Sequence, residues 1–247
     1  MPFTISHTIA VYPFKNQKLL PFSGLVIGAM VPDYPLFLPL KHYHLSHSIT
    51  GLFLYDLPVG LLVYLLWSRL LLKPTRRLLP LSFAEVLREE SFPSFWRLSA
   101  AIVLGAFTHV FWDGFTHSNG FALQYLPSLA TVKIAQYPLY KILQWGCSVL
   151  GLGMLFFWFY QQNKQRKATT PYPSSKTLCW LVLFSVSSLV GGKAALTQSG
   201  KLVLYYGIVA FLQAFLLSWI FLSLILLWMS GTPQKEALLQ RLFHESS

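Results

Sequence analysis

Apolar residues in this chain form long runs that are separated by short polar stretches. Each run approaches or exceeds the roughly 20 residues that a helix needs to cross a bilayer. The six runs are residues 19–40, 49–72, 98–114, 142–160, 178–196 and 202–229. The pattern predicts an all-α fold, a polytopic transmembrane helical bundle, with a short N-terminal helix over 3–11. Pro32, Asp33 and Pro35 interrupt the first run.

Composition supports the same class of protein. Hydrophobic residues make up 54% of the 247 residues and charged residues 11%, whereas soluble domains carry about 25% charged residues. We therefore expect a membrane protein rather than a soluble enzyme.

The basic residues lie mainly in alternate loops. Fourteen of the 19 Lys and Arg residues lie before the first run, at the end of or after the second, after the fourth and after the sixth. The positive-inside rule then places these loops and both termini in the cytoplasm of a protein in the cell membrane. The net charge of +11 is accordingly interpreted as a topology signal and as contacts with anionic membrane lipids, not as nucleic-acid binding.

Acidic residues divide by type. All five Glu lie in predicted cytoplasmic loops or the tail, whereas Asp33, Asp56 and Asp113 lie within or beside apolar runs. Because charge in hydrocarbon is costly, intramembrane carboxylates indicate functional sites. We expect one membrane domain with four parts: a site-bearing bundle (1–160), a cytoplasmic polar loop (161–177), two scaffold helices (178–230) and a cytoplasmic tail (231–247).

The stretch GAFTHVFWDGFTHSNG (105–120) places His109, Asp113 and His117 at four-residue intervals. On a helix, this spacing puts the three side chains on roughly one face. An ionised Asp at the bilayer centre costs about 2.5–3.5 kcal/mol or more, so Asp113 needs a partner. Imidazoles one turn away on either side predict a metal ion or a proton-sharing cluster.

Other polar residues are expected at the same depth, near the outer face. On the predicted topology Asp33 lies in the outer half of the first segment, and His47 precedes the second, with Ser48 as its N-cap. Imidazole and carboxylate ligands suit zinc, with manganese and iron as alternatives, and the lack of thiolates argues against a closed structural zinc site. The predicted metal ligands are His7, Asp33, His47, His109, Asp113 and His117.

These residues exceed the needs of one tetrahedral ion, so two ions are an option. Asp56 is the candidate catalytic residue, either orienting a ligand histidine or acting as a base. Simpler interpretations stay open: a hydrogen-bonded pair of His109 with Asp113, a buried core histidine at 117, and a helix cap at Asp33. His42 and His44 are interpreted either as ligands or as interfacial residues.

His7 raises a question of topology. If 19–40 crosses the membrane fully, His7 begins on the cytoplasmic side, away from the other candidates. Either the N-terminal segment dips into the bundle, or the broken first helix does not cross simply, since irregular backbone is tolerated where protein buries it.

With these residues assembled, the chain resembles the bacterial membrane domain-of-unknown-function 4184 family. The resemblance rests on MPFTISHTIAVYP, LVIGAMVPDYPLF, HLSHS and GAFTHVFWDGFTHSNG, within the first 125 residues. The same order of motifs is similar to membrane-bound metal-dependent hydrolases and, more remotely, to zinc-dependent phospholipase C proteins. That similarity implies ligand roles for His7, Asp33, His47, His109 and Asp113, and hydrolysis of phosphoester or lipid-like substrates. The soluble phospholipases also use a later His-x-x-x-Glu-type pair, which this sequence lacks.

The leading interpretation is a membrane protein with a His/Asp metal site near the outer face, acting as a metal-dependent hydrolase of lipid or phosphoester substrates. Two alternatives stay open. One is an ion- or proton-coupled transporter or channel that uses the same cluster, and the other is a non-catalytic membrane protein with a structural metal.

Overall fold

Helices account for nearly all regular structure in the computed structural model, which describes residues 4–37, 43–84, 87, 93–164, 174–200 and 202–243. Within these ranges the strands are one short antiparallel pair, β1 (Lys133–Ile134) and β2 (Tyr137–Pro138). The predicted all-α fold is confirmed.

Among the described residues, five helices are long and apolar enough to cross a membrane: Ile49–Leu78, Phe95–Thr116, Leu139–Gln161, Ser174–Leu196 and Leu202–Met229. The first of the six predicted runs forms a shorter apolar segment, Phe22–Phe37. Pro32 lies in a 3₁₀ turn, Val31–Asp33, that separates its two helices, because proline removes a helical donor and crowds the preceding turn. The chain is thus a multi-pass membrane protein.

The elements follow one another in short pieces up to residue 84 and as long helices afterwards. In chain order they are 3₁₀ helices Thr4–Ala10 and Tyr12–Phe14, α1 (Phe22–Gly28), the 3₁₀ turn Val31–Asp33, α2 (Tyr34–Phe37), α3 (Tyr43–Ser46), α4 (Ile49–Gly51), a π-helical stretch Leu52–Asp56, α5 (Leu57–Leu66), a second π-helical stretch Trp67–Leu71, α6 (Leu72–Leu78), α7 (Leu81–Ala84), α8 (Phe95–Thr116), α9 (Ala122–Tyr125), α10 (Ser128–Thr131), β1, β2, α11 (Leu139–Lys164), α12 (Ser174–Leu196), α13 (Leu202–Met229) and α14 (Pro233–Phe243).

The chain divides into two compact units. Unit 1 comprises Met1–Tyr64 and Glu90–Gln162, and unit 2 comprises Leu65–Glu89 and Asn163–Ser247. Every predicted site residue belongs to unit 1. The four-part division expected from the sequence remains a prediction.

In unit 1 the N-terminal segment lies inside the helical packing. The Ser6 hydroxyl donates to the Ser148 carbonyl at 3.0 Å, and the Tyr12 ring contacts Trp158, with 5.2 Å between centroids. The segment therefore runs along α11 for about ten residues of helix, or roughly 15 Å. Its end is fixed near the start of α8, where Arg97 donates to the Leu19 carbonyl at 2.6 Å. Of the two alternatives for His7, the structure has the N-terminal segment dipping into the bundle.

Two glycines allow α1 to pack closely on α8. A Cβ atom on Gly28 would lie 2.2 Å from the Ile102 carbonyl oxygen, and one on Gly105 would lie 2.3 Å from the Leu25 carbonyl oxygen. Small residues at membrane helix contacts let the backbones approach in this way. The contact continues to Ala29, whose carbonyl oxygen lies 2.8 Å from His109 Nδ1, so helix packing positions a predicted ligand.

Unit 2 contains a helical pair and a helix in the predicted tail. In the α12–α13 pair, a Cβ on Gly191 would lie 2.8 Å from the Gly207 carbonyl oxygen. The α14 helix contributes to an apolar cluster of Leu78, Leu226, Leu239 and Phe243. An Arg77–Glu236 ion pair at 2.5 Å ties α14 to α6.

We predict that Gly105→Ala destabilises the protein by about 1–3 kcal/mol, because the new methyl group overpacks a contact that has no room for it. The matched control is Gly153→Ala in α11, where an added Cβ meets nothing within 4 Å. Thermal unfolding of both variants in detergent measures the difference. Equal stability of the two variants would contradict the packing argument.

Candidate metal centre

Four predicted ligands from three segments meet in unit 1. Asp33 ends the 3₁₀ turn after α1, His47 lies between α3 and α4, and His109 and Asp113 come from α8. One ligand atom from each residue lies within 4.8 Å of the others. The group is well shielded: Asp33, His109 and Asp113 are buried, and His47 is partly buried. These residues therefore form a His/Asp cluster that could bind a metal ion.

Four of the distances between these atoms are close to the edge of a coordination tetrahedron. Asp33 Oδ1 lies 3.5 Å from Nε2 of both His47 and His109. Asp113 Oδ2 lies 3.5 Å from His47 Nε2 and 3.4 Å from His109 Nε2. Ligand bonds of 2.0–2.1 Å to zinc imply tetrahedral edges of about 3.3–3.4 Å. Direct charged hydrogen bonds would be shorter, at about 2.7–2.9 Å, so the geometry favours a shared cation over a hydrogen-bonded pair.

Hydrogen bonds on the far side of both imidazoles set their tautomers. His109 Nδ1 lies 2.8 Å from the Ala29 carbonyl oxygen, so it carries the proton and donates it. Ser46 Oγ donates to the Pro32 carbonyl at 2.7 Å, which leaves it to accept from His47 Nδ1 at 3.1 Å. In neutral His47 and His109 each Nε2 therefore presents a lone pair to the carboxylates. Such second-shell hydrogen bonds are typical of metal-ligating histidines.

The two carboxylates balance the charge of one divalent ion. Thr4 donates to Asp33 Oδ2 at 2.7 Å. The other oxygen, Oδ1, faces His47 and His109. Two carboxylates, two neutral imidazoles and one dication have no net charge, which lowers the cost of burial in an apolar environment.

His7 and His117 lie outside the four-residue group but contact Asp113. His7 Nε2 lies 3.4 Å from Asp113 Oδ1, and its ring stacks on His109 with centroids 3.6 Å apart. Burial, followed by the neighbouring His109, lowers the pKa of His7 to about 2, so this imidazole is neutral. His117 Nδ1 also lies 3.4 Å from Asp113 Oδ1.

The helix that was expected to carry the 109–113–117 stripe is one residue too short for it. The α8 helix ends at Thr116, and His117 is its C-cap with extended backbone, φ −120° and ψ 152°. Its backbone N–H still donates to the Asp113 carbonyl at 3.1 Å, so His117 stays one turn from Asp113 although its own backbone is extended.

Asp56 lies at the end of the π-helical stretch Leu52–Asp56, a type of bulge that is frequent at functional sites. Its side chain is fully buried, and neither carboxylate oxygen has a hydrogen-bond partner in the described part of the chain. The Asp56 carboxylate interacts electrostatically with the imidazoles of His47 and His109. A buried carboxylate of this kind requires a positive partner or a proton.

Sequence reasoning did not select three polar residues that contact the candidate ligands, namely Thr4, Ser46 and Gln144. Only Ser46 has a local signal, its position directly before His47. Of the two other candidate histidines, His44 is exposed and outside the four-residue group, and the prediction for His42 falls outside the described residues.

Comparison with known proteins gives a family and no reaction. A family model described as "Domain of unknown function (DUF4184)" matches residues 1–227. No curated protein and no solved structure matches the chain.

We predict that Ser46→Ala weakens zinc binding about 10–100-fold, because it removes the group that accepts the proton of His47 Nδ1. Thr108→Ala is the matched control, since the Thr108 hydroxyl adjoins His109 in sequence but donates to the Gly105 carbonyl of its own helix at 2.7 Å. Competition with a chromophoric chelator measures both affinities. An unchanged affinity in Ser46→Ala would show that this hydroxyl does not position His47.

Proposed function

Because the chain belongs to the DUF4184 family, whose description names no reaction, we propose a function from the site itself. The protein is a metal-dependent hydrolase of lipid-like phosphoester substrates, and it works at a His/Asp site in its membrane bundle. The observation that carries hydrolysis is Asp56, a buried carboxylate beside the cluster that four-ligand coordination does not require.

Zinc is the best-fitting resident ion. Asp33, His47, His109 and Asp113 would hold it, since two imidazoles and two carboxylates at tetrahedral spacing suit zinc better than magnesium, which prefers octahedral oxygen ligands. A bound divalent ion polarises a phosphoryl oxygen and lowers the pKa of a coordinated water.

The chain's own contribution to the chemistry is a base. We assign this role to Asp56, which takes a proton from water as the water oxygen bonds to phosphorus and the ester P–O bond breaks. The proton then passes to the departing alkoxide oxygen, so the products are a phosphate monoester and an alcohol.

The surroundings of the cluster favour an amphiphilic anionic substrate. Phe111 and Trp112, which directly precede Asp113, are exposed on α8 and offer an apolar surface to an acyl chain. Lys141 donates to Gln144 Oε1 at 2.5 Å, and the amide of Gln144 contacts His117 Nε2 at 2.9 Å. A cationic side chain is thus connected to the cluster by one polar residue, which suits a phosphate group.

We expect the protein, purified in detergent without chelators, to contain zinc, and Asp113→Asn to lose most of it. The loss follows because Asp113 faces both His47 and His109. Elemental analysis measures the metal content, and His44→Ala, which replaces an exposed histidine three residues from His47, should retain it. A wild-type protein without metal after exposure to zinc would contradict the proposal.

We further expect Asp56→Asn to keep its zinc while hydrolysis falls about 10²–10⁴-fold, the usual contribution of a general base. Release of p-nitrophenol from bis(p-nitrophenyl) phosphate and of label from a fluorescent phospholipid in vesicles are the two assays. The variant should unfold at the wild-type temperature, which separates loss of the base from loss of the fold.

A structural metal is the second candidate, because four protein ligands fill a tetrahedral site. It predicts zinc binding without hydrolysis of either probe, and a fall in unfolding temperature when zinc is removed. Zinc binding without hydrolysis, together with this loss of stability, would contradict the hydrolase proposal and favour a structural role for the ion.

A further inference from the structure

Asp113 presents its two carboxylate oxygens to two different sets of histidines. Oδ2 faces His47 and His109, whereas Oδ1 lies 3.4 Å from both His7 Nε2 and His117 Nδ1. These two distances repeat the tetrahedral edge of the first group. They again exceed the length of a hydrogen bond between imidazole and carboxylate.

In this second group, His7 Nε2 is a buried polar atom that is not hydrogen-bonded within the described part of the chain. The residue is 1% exposed, and Nε2 has no hydrogen-bond partner among the described residues. Buried polar atoms are normally satisfied, so an exception calls for a ligand that fills the gap. The stacked rings of His7 and His109 place the two groups side by side.

We propose that His7, His117 and Asp113 hold a second divalent cation, and that the Asp113 carboxylate bridges it to the ion held by Asp33, His47 and His109. This inference rests on the proposed metal centre and deepens it. Three protein ligands leave one position of a tetrahedral ion open, as in catalytic zinc sites. The second ion, not the first, would then accept water or the phosphoryl oxygen at its open position.

The charge of the buried residues supports two ions. Asp33, Asp56 and Asp113 are the buried acidic side chains of the described chain. One dication neutralises Asp33 and Asp113; when Asp56 is also ionised, as its role as base requires, one dication leaves a net charge of −1 and two leave +1. Two-ion sites of this kind, about 3.5–4 Å apart, recur in enzymes that hydrolyse phosphoesters.

Gln144 is the positioning residue for this second group. As placed, its amide nitrogen contacts His117 Nε2 while Lys141 donates to Oε1. For Nδ1 to bind a cation, the proton of His117 must lie on Nε2, which then needs an acceptor. Rotation of the amide would supply Oε1 as that acceptor, and a carboxylate at this position would supply one in any orientation.

The test is the metal stoichiometry of the full chain in lipid nanodiscs, measured by zinc titration calorimetry and elemental analysis. We expect about two zinc ions per wild-type chain and about one in His7→Ala and in His117→Ala. His44→Ala, the matched control, should keep both. One ion in the wild type, or two in His7→Ala, would overturn the second site.

Manganese loading tests the bridge directly. Two Mn²⁺ ions that share Asp113 should give the electron paramagnetic resonance spectrum of a coupled pair, and His7→Ala should give that of an isolated ion. Gln144→Glu should retain the coupled spectrum, whereas Gln144→Met should bind the second ion about 10–100-fold more weakly. An isolated-ion spectrum from a fully loaded wild type would contradict the bridge.

The two proposals fail separately. Phosphoester hydrolysis by a protein that binds only one ion would refute the second site and leave the hydrolase in place. Two coupled ions without hydrolysis of either phosphoester probe would refute the hydrolase and leave the second site in place.

Discussion

The energetic cost of burying Asp33 and Asp113 among apolar helices shapes unit 1. A carboxylate has no water to stabilise it there, and a fully buried charge must be paired or bind a cation. Four imidazoles contact these two side chains, at 3.4–3.5 Å. This spacing suits atoms around a shared ion, so the cluster could bind a metal ion.

The rest of unit 1 holds this cluster in place. Glycines at 28 and 105 let α1 approach α8 until the Ala29 carbonyl reaches His109. The N-terminal segment lies along α11 through Ser6 and Tyr12, and this carries Thr4 to Asp33 and His7 to Asp113. Packing between apolar elements and hydrogen bonding at the site are therefore coupled, since each backbone carbonyl that fixes a tautomer belongs to a packed segment.

Local sequence pattern was sufficient for much of this. The long apolar runs correspond to the five long helices and the shorter Phe22–Phe37 segment, because hydrophobic length is a property of contiguous residues. The pairing of His109 with Asp113 followed from helical periodicity over a single turn. His117 is the C-cap of α8, which ends at Thr116, but its backbone N–H still bonds to the Asp113 carbonyl and its Nδ1 lies 3.4 Å from Asp113 Oδ1.

By itself the sequence determined an all-α membrane chain and the residue types of its polar cluster, because segment length, charge cost and helical spacing act locally. Only the tertiary structure decided that His7 reaches Asp113 from an N-terminal segment that packs within unit 1. It also decided that Ser46 and Ala29 orient the histidines and that each oxygen of Asp113 faces a different pair. These contacts join residues up to 106 positions apart in the chain, and such pairings arise from the packing of whole elements, which no local pattern encodes.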